Sequence, residues 1–578
     1  MAGGTHKDPN FAAKLARRSE LNHEAMLLFA AAMSALFGIV LLFHLPRTVG
    51  AGKTKFGRWL APAVFISRKI RNVLLVKFPG VPSVGHLFVV IPYVGINIVI
   101  TFVKFDNNNL PLLSNVASRT GWMTMANTLI VILLSLKNTP LAVLSEWSYE
   151  RLNIFHRISG FATVVFVIVH ACSYTAVFGN QNFLVRLTEP AEIYGIVAGL
   201  CFLFLGVTGA VVRKWWYELF YYLHIVFWML GIIMVGLHQP EPAKKVLFLT
   251  CAAAGFWVLD RLIRVGRLVV NGTNNSVTVI PLPRGGTRLV FSKCLPGDAL
   301  GKHAFLWIPK IRALQTHPFT IAATDPLELV VSAKNGFTRA LHEYATHHPG
   351  ANLKCSLDGP YGSFPNPKSY DKVILVAGGS GASFTIGAAL RMLRNMGEDK
   401  KSFTFIWMVQ HPSCIAWFSE HLNVLKNDPR ITIHIYVTRQ SDMQILDKNL
   451  THTSTSSPSG NTFFAAFDSE KAHVSKLVIP PPRTDLEKDM EKDTLSPVES
   501  PISPTDTIEQ LTDFPITYHR PDVSALIKTQ VEGSEPDESL LIMGCGPQRL
   551  MTAVRNATAE NVRADGPGIE LHCEQFGW

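Results

Sequence analysis

The stretch IFHRISGFATVVFVIVHACSYTAVF (154–178), with its counterpart LFYYLHIVFWMLGIIMVGLH (219–238), decides how this chain reads. Both are apolar runs long enough to cross a bilayer as helices. Each carries two histidines, His156 and His170 in the first and His224 and His238 in the second. Fourteen positions separate the members of each pair, a rise of about 21 Å that returns both side chains to nearly one face. An imidazole is costly in hydrocarbon and needs a partner there. Two such helices side by side offer two stacked bis-imidazole sites, each suited to one haem held edge-on within the bilayer. A lone intramembrane histidine reads as well as a hydrogen-bonded packing residue; two matched pairs favour ligation.

Outward from this pair the sequence gives seven apolar spans, at about 25–44, 84–104, 120–136, 153–178, 191–212, 217–238 and 246–262, the third and seventh being short. The loop after the first carries Arg47, Lys53, Lys55, Arg58, Arg68, Lys69, Arg71 and Lys77 without an acid, which marks it as cytosolic. Counting onward, Arg213, Lys214, Arg261, Arg264 and Arg267 fall on the same side. The expected topology is a multi-pass protein, N-terminus outside, with everything after the last span in the cytosol. His156 then pairs with His224 towards the cytosol, and His170 with His238 towards the exterior. Arg157 needs an anion, and a haem propionate would serve. Gly160 leaves room either for a porphyrin face or for a neighbouring helix.

The formal net charge of +11 lies largely in loops beside the spans, so it argues for a membrane topology and against a nucleic-acid partner. The eight cysteines show no paired spacing, which argues against both a zinc site and a disulfide framework.

After Arg267 the texture changes to short alternating stretches, SVTVIPLP, TRLVFSK, HAFLWIP and LELVVSAK, expected to form an antiparallel β-barrel. From Lys372 buried strands alternate with helices: VILVAGG, FTFIWMV, ITIHIYV and SLLIMGCGP. This is the pattern of a parallel nucleotide-binding sheet. The expected domains are a tail (1–24), a membrane haem domain (25–266), a barrel (267–368) and an α/β domain (369–578). The last is broken by a Ser-, Thr- and Pro-rich insertion at about 444–516, read as disordered.

Four short motifs stand in order behind the spans: HPFT (317–320), DGPYG (358–362), GGSG (378–381) and GCGP (544–547). With EWSYERLNIFHRISG (146–160), they make the chain resemble the fungal ferric/cupric reductases, membrane relatives of the NADPH oxidases. The resemblance covers roughly residues 85–578. It implies a helical membrane bundle with two b-type haems, followed by a cytosolic ferredoxin-reductase-like module of FAD barrel and NAD(P)-binding domain. It implies, too, electron flow from NADPH through FAD and haem to external Fe(III) or Cu(II) chelates at the plasma membrane, with a metal permease as a candidate partner.

The resemblance assigns His317, Pro318, Phe319 and Thr320 to the FAD site. Gly336, Phe337 and Thr338 open a helix whose N-terminus suits the FAD pyrophosphate. Gly378, Gly379, Ser380 and Gly381 turn between strand and helix, where glycine lets backbone approach a phosphate. Gly544, Cys545, Gly546 and Pro547 would lie beside the nicotinamide, Cys545 as a space-filler on the hydride path or as a redox group. Trp578, the last residue, would stack on the flavin. One departure stands out: Gln410 and His411 follow FTFIWMV where the family often has an Arg for the 2′-phosphate of NADPH. Arg439 and Arg520 are the alternatives. Competing readings are a superoxide-producing NADPH oxidase, which usually has six spans, and a silent membrane scaffold.

Overall fold

A run of apolar residues in lipid can satisfy its backbone only as helix, and the first half of the chain consists of little else. The computed structural model describes residues 10–50, 83–141, 149–238, 244–363, 370–395, 402–439, 514–563 and 566–574, with residues 70, 73–75 and 365. Its long membrane-domain helices are α1 (Phe11–Gly50), α2 (Val84–Phe102), α3 (Leu112–Ser135), α4 (Tyr149–Asn180), α5 (Pro190–Val207), α6 (Tyr217–Leu237) and α7 (Lys244–Gly272). They form a bundle in which α3 packs along α4, α5 along α6, and α7 against both α3 and α6. Its core is Trp122, Met123, Phe202, Trp228 and Ile232, while Phe161, Ile196, Val226 and Ile233 point outward. Helices apolar on both sides belong in lipid.

Six of these helices are long and apolar enough to cross a membrane: all but α3. The expected third span is a helix, but it falls short on apolarity because Asn115, Arg119, Thr120, Thr124, Asn127 and Thr128 are among its buried residues. Its polar groups are satisfied by protein. Arg119 is 0% exposed and donates to Asn22 Oδ1 at 2.7 Å and to the carbonyls of Ile100 at 2.7 Å and Val103 at 2.8 Å. Asn127 accepts from Tyr93 Oη at 2.5 Å and donates to Asn97 Oδ1 at 2.7 Å. The segment 1–24, read as a tail, is helical from Phe11. Arg18 and Asn22 explain this: they donate to Ser114 Oγ at 2.8 Å and Ser118 Oγ at 2.9 Å on α3.

The barrel region comprises β1 (Ser276–Leu282), β2 (Gly286–Phe291), β3 (His303–Trp307), β4 (His317–Thr324), β5 (Leu327–Ser332), β6 (Asn352–Lys354) and β7 (Ser356–Tyr361). They form one antiparallel sheet in the order β6-β1-β2-β5-β4-β3-β7. Helix α8 (Phe337–His347) closes its core by burying Phe337, Leu341 and Ala345 against Val277, Leu289 and Ile321.

The remaining elements are β8 (Lys372–Gly378), α9 (Ala382–Asn395), β9 (Ser402–Val409), α10 (Ser419–Lys426), β10 (Ile431–Val437), β11 (Ile516–Thr517), α11 (Val523–Glu532), β12 (Ser539–Cys545), α12 (Gln548–Asn561) and β13 (Gly568–Glu574). Every strand pair is parallel, in the order β11-β10-β9-β8-β12-β13. Such a sheet, buried on both faces, needs near-continuous apolar strands, and Ile374, Leu375, Val376 and Phe405 are each at most 1% exposed. Residues 440–513, most of the expected insertion, lie outside the described residues. Its expected end is corrected: Phe514 is buried in the sheet core and β11 begins at Ile516.

Candidate functional site

The bundle brings the four histidines together in two pairs. His156 and His170 lie on α4, His224 on α6, and His238 caps the C-terminus of α6. The ring centres of His156 and His224 are 6.3 Å apart, and so are those of His170 and His238. Two metal–imidazole bonds of about 2 Å, with about 1.2 Å from each nitrogen to its ring centre, span a little over 6 Å. Each pair is therefore spaced so that its two rings could hold one metal ion between them.

Second partners orient three of the rings. Nδ1 of His156 lies 3.0 Å from the Val131 carbonyl, that of His170 2.8 Å from Ala117 O, and that of His238 2.7 Å from Ala191 O. A ring that donates from Nδ1 presents Nε2 as the ligand. The Nδ1 of His224 is buried without a well-formed hydrogen bond; the Leu205 carbonyl is the backbone acceptor that bears on it. That carbonyl lies just before the π-helical turn Thr208–Val212, where the helical ladder is interrupted. Two glycines make room for the rings on the far side of the bundle. A Cβ on Gly121 would meet His170 Cε1 at 2.7 Å, and one on Gly195 would meet His238 Cε1 at 2.5 Å. Gly160 has nothing within 4 Å of its Cβ position, so no neighbouring helix requires glycine there. Arg157 and Arg213 lie near enough to repel one another beside His156, a cationic corner suited to carboxylates.

The HPFT residues form the start of β4, with the His317 ring stacked on Phe337 at 4.5 Å and 20°. Gly336 supplies the N-cap of α8 at φ +61°, a conformation that favours glycine. Phe337 itself is 1% exposed, so it backs the His317 ring from the barrel core. Thr338 Oγ1 accepts from Lys334 N at 3.0 Å and steadies the turn. The membrane domain reaches this place: Glu218 of α6 approaches Gly336, and Tyr222 Oη donates to Leu314 O at 3.2 Å. Burial holds the His317 imidazole below its ordinary value, against the opposing pull of the Glu218 carboxylate.

The two glycine loops of the α/β domain touch. β8 and β12 are neighbours at the point where the strand order reverses, the place where open parallel sheets bind ligands. A Cβ on Gly378 would lie 2.7 Å from Pro547 Cδ, one on Gly546 3.0 Å from Gly378 N, and one on Gly381 would overlap the Cys545 carbonyl. Gly379 takes φ +56° at the tip of the turn, and its carbonyl accepts from Trp407 Nε1 at 3.0 Å. Ser380 completes the turn between β8 and α9. Gly544 closes β12 against Met551. Burial pushes the Cys545 thiol far above its ordinary value, with Glu574 adding to the shift. A thiol so placed stays protonated, which suits packing rather than redox chemistry.

Three family descriptions match the chain in one order: a ferric reductase-like transmembrane component over residues 120–235, an FAD-binding domain over 291–365 and a ferric reductase NAD-binding domain over 370–559. A ferric/cupric reductase transmembrane component 1 of Candida albicans is 24% identical over 82% of this chain and 59% of its own length. Another, component 2 of Schizosaccharomyces pombe, is 27% identical over 64% of this chain and 73% of its own. The chain belongs to the ferric reductase family. It spans 59% of the length of the Candida relative. Among solved structures, a flavohaemoglobin of Malassezia yamatoensis aligns over 81% of this chain and 98% of its own at 13% identity, with a TM-score of 0.37, too distant to bear on the argument.

The residues expected to choose the coenzyme lie at the edge of the parallel sheet. Arg439 and Arg520 lie three residues beyond the paired positions Tyr436 and Thr517 of neighbouring strands β10 and β11, both exposed at one edge. His411 is occupied as a cap: its Nδ1 accepts from Ser413 N at 3.1 Å. Trp578 lies outside the described residues. Sequence reasoning missed Gly121 and Gly195, which look like any glycine in a membrane helix. It also missed β13, where His572 Nε2 and Glu574 Oε1 meet at 2.9 Å, nearly buried, beside Cys545. The signal available was faint, Ile569, Leu571 and Cys573 alternating with Glu570, His572 and Glu574.

Proposed function

We propose that this chain is a plasma-membrane metalloreductase that takes electrons from cytosolic NADPH through FAD and two b-type haems to Fe(III) or Cu(II) chelates outside. The observation that carries the reading is the stacked pair of histidine pairs, each spaced for one iron, with the inner pair's helix touching the flavin-binding loop. FAD, when bound, supplies the conversion between a two-electron hydride donor and one-electron haem iron.

The chain's own residues set the order of these parts. Gly378, Gly381 and Gly546 let the two loops close against one another, which would leave backbone N–H groups at the strand ends to meet the coenzyme phosphates. His317 and Thr320, at the start of β4, would hold the flavin, and Gly336 and Thr338 shape the helix end that would take its pyrophosphate. Arg439 and Arg520 serve the 2′-phosphate. Arg157 and Arg213 would hold the carboxylates of an inner haem. The N-terminus lies outside, so His170 and His238 stand at the exterior surface, where a chelate reaches the haem edge. The additional helix α1 favours a metalloreductase over an oxidase.

The test is spectral and vectorial. Membranes containing the chain should give a bis-imidazole b-haem reduced-minus-oxidised spectrum, and sealed right-side-out cells should reduce an impermeant ferric chelate. His170→Ala should abolish external reduction. Full haem with normal reduction in that variant would sink the assignment, and superoxide as the main product would favour the oxidase reading.

A further inference from the structure

The DGPYG motif (358–362) contributes none of the cofactor residues named above, and its acid has a structural task. Asp358 is 0% exposed and lies on β7, against the cytosolic end of the last membrane helix. Arg264 of α7 donates from Nε to Asp358 Oδ2 at 2.7 Å. Tyr361 Oη donates to Asp358 Oδ1 at 2.6 Å and accepts from Arg267 at 3.0 Å. One turn further along α7, Asn271 Nδ2 donates to the Leu357 carbonyl at 2.7 Å, and Ser356 Oγ donates to Leu268 O at 2.6 Å. A Cβ on Gly272 would meet Ser356 Cβ at 3.2 Å. Positions 264, 267, 268, 271 and 272 share one helical face. The whole of β7 is thus fastened along α7.

This strand is connected to the redox path on both sides. In the sheet β7 pairs with β3, and β3 with β4, which carries His317 and Thr320. In the membrane α7 packs on α6, which carries His224. Helix α6 itself meets the barrel region through the hydrogen bond from Tyr222 to Leu314, with Glu218 close to Gly336. Arg264 also covers the Phe305 ring of β3 at 5.4 Å, so the guanidinium is held by both a charge and a ring.

We propose that the Asp358–Arg264 pair, with Tyr361 and Arg267, is a joint that fixes the flavin-binding barrel on the membrane bundle and so sets the flavin-to-inner-haem separation. The inference rests on the electron path proposed above. Asp358 and Arg264 are positioning residues: neither faces the coenzyme or the His pairs. An acid–Arg contact without that task would need neither full burial nor four further ties along one helix face. Small displacements of reacting groups cost large factors in rate, so loosening the joint should slow the crossing between domains and spare what happens within each.

The experiment uses the full-length holoenzyme in nanodiscs, as Asp358→Asn, Arg264→Gln and the double variant. Stopped-flow absorbance follows flavin bleaching by NADPH separately from haem reduction, and hydrogen–deuterium exchange follows the backbone. In both single variants flavin content and bleaching rate should stay within about twofold, while haem reduction slows at least about tenfold. Exchange should rise at 264–272 and 356–361 and not in β8 or β9. The double variant should be no slower than the slower single, since both remove one contact. Unchanged haem reduction with unchanged exchange would overturn the joint. So would flavin loss in Arg264→Gln with exchange rising through β1, β2 and β5, because the pair would then be holding the barrel's fold. If the wild type shows no flavin-to-haem transfer, the proposed electron path fails, and the exchange pattern alone decides whether the joint exists.

Discussion

Gly121 of α3 lies against the imidazole of His170 on α4, so that a Cβ there would sit 2.7 Å from Cε1 and 2.8 Å from Nδ1. A methyl group can enter only if the ring moves, and the ring is tethered to Ala117 O one turn away. Overpacking of this kind costs about 1–3 kcal/mol or is relieved by displacement. Gly121→Ala should lose the outer haem and keep the inner one, halving haem per flavin. Gly195→Ala, which crowds His238 at 2.5 Å, should do the same. Pyridine haemochrome assay against FAD content measures the ratio; two haems with an unaltered spectrum in both variants would show that the rings have slack.

The depressed His317 imidazole gives flavin retention a pH dependence. Burial lowers its folded value below the unfolded 6.5, with Glu218 opposing and Arg312 reinforcing the shift. Above 6.5 the residue is neutral in both states and adds nothing. As pH falls below 6.5 the unfolded chain takes up a proton that the folded one refuses, so stability drops. FAD release, followed by flavin fluorescence on heating, should move to lower temperature between pH 6.5 and 5. His317→Gln should flatten that slope. An unchanged slope in the variant would place the acid sensitivity elsewhere.

Arg288 ties the barrel to the α/β domain through two glutamates of unequal worth. It meets Glu328 of β5 at 2.7 Å and Glu420 of α10 at 2.6 Å. Glu328 is 3% exposed and Glu420 66%. Burial alone would raise the Glu328 carboxyl, but hydrogen bonds from His421 and Arg288 hold it below its ordinary value. Its contribution is present above pH 4.5 and lost on acidification. Arg288→Ala leaves Glu328 buried without its two-pronged guanidinium partner and should cost about 3 kcal/mol. Glu420→Gln should cost less than about 1 kcal/mol. Thermal unfolding of both variants separates them, and equal losses would contradict the burial argument.

On the proposed reading, coenzyme choice turns on Arg520 and Arg439 at the exposed edge of β10 and β11. Loss of a charge-assisted bond of about 1.5–3 kcal/mol weakens binding roughly ten- to a hundredfold. Arg520→Ala should raise KM for NADPH and leave KM for NADH unchanged, with kcat altered less, because the 2′-phosphate contributes uniform binding. If both KM values rise together, Arg520 supports the fold instead.

What the sequence displayed well was periodicity and order. ITIHIYV is β10 at 431–437, and the histidine spacing does place two rings opposite two. The glycine loops were legible because backbone approach demands glycine in a fixed position after a strand. What stayed hidden depended on partners far away in the chain. Arg264 and Asp358 are 94 residues apart, and nothing in either stretch names the other. Arg18 and Asn22 looked like a solvated tail because their serine partners lie 96 residues on. The buried His572–Glu574 contact sits in a strand whose apolar character was too weak to announce burial.

Helix α3 supplies Ala117 O and Val131 O to the histidines of both pairs and makes room at Gly121. It is also the helix that lipid accepts least, because Arg119 alone weighs about 3 kcal/mol against entry near the bilayer centre. Insertion during synthesis therefore cannot be left to this segment by itself. It must enter together with α2, whose carbonyls of Ile100 and Val103 receive the guanidinium, or wait for Asn22 of α1. The part of the protein that orients His156 and His170 is thus the part whose place in the membrane is granted by its neighbours, so on the proposed reading a defect in biogenesis at α1 or α2 would surface first as missing haem.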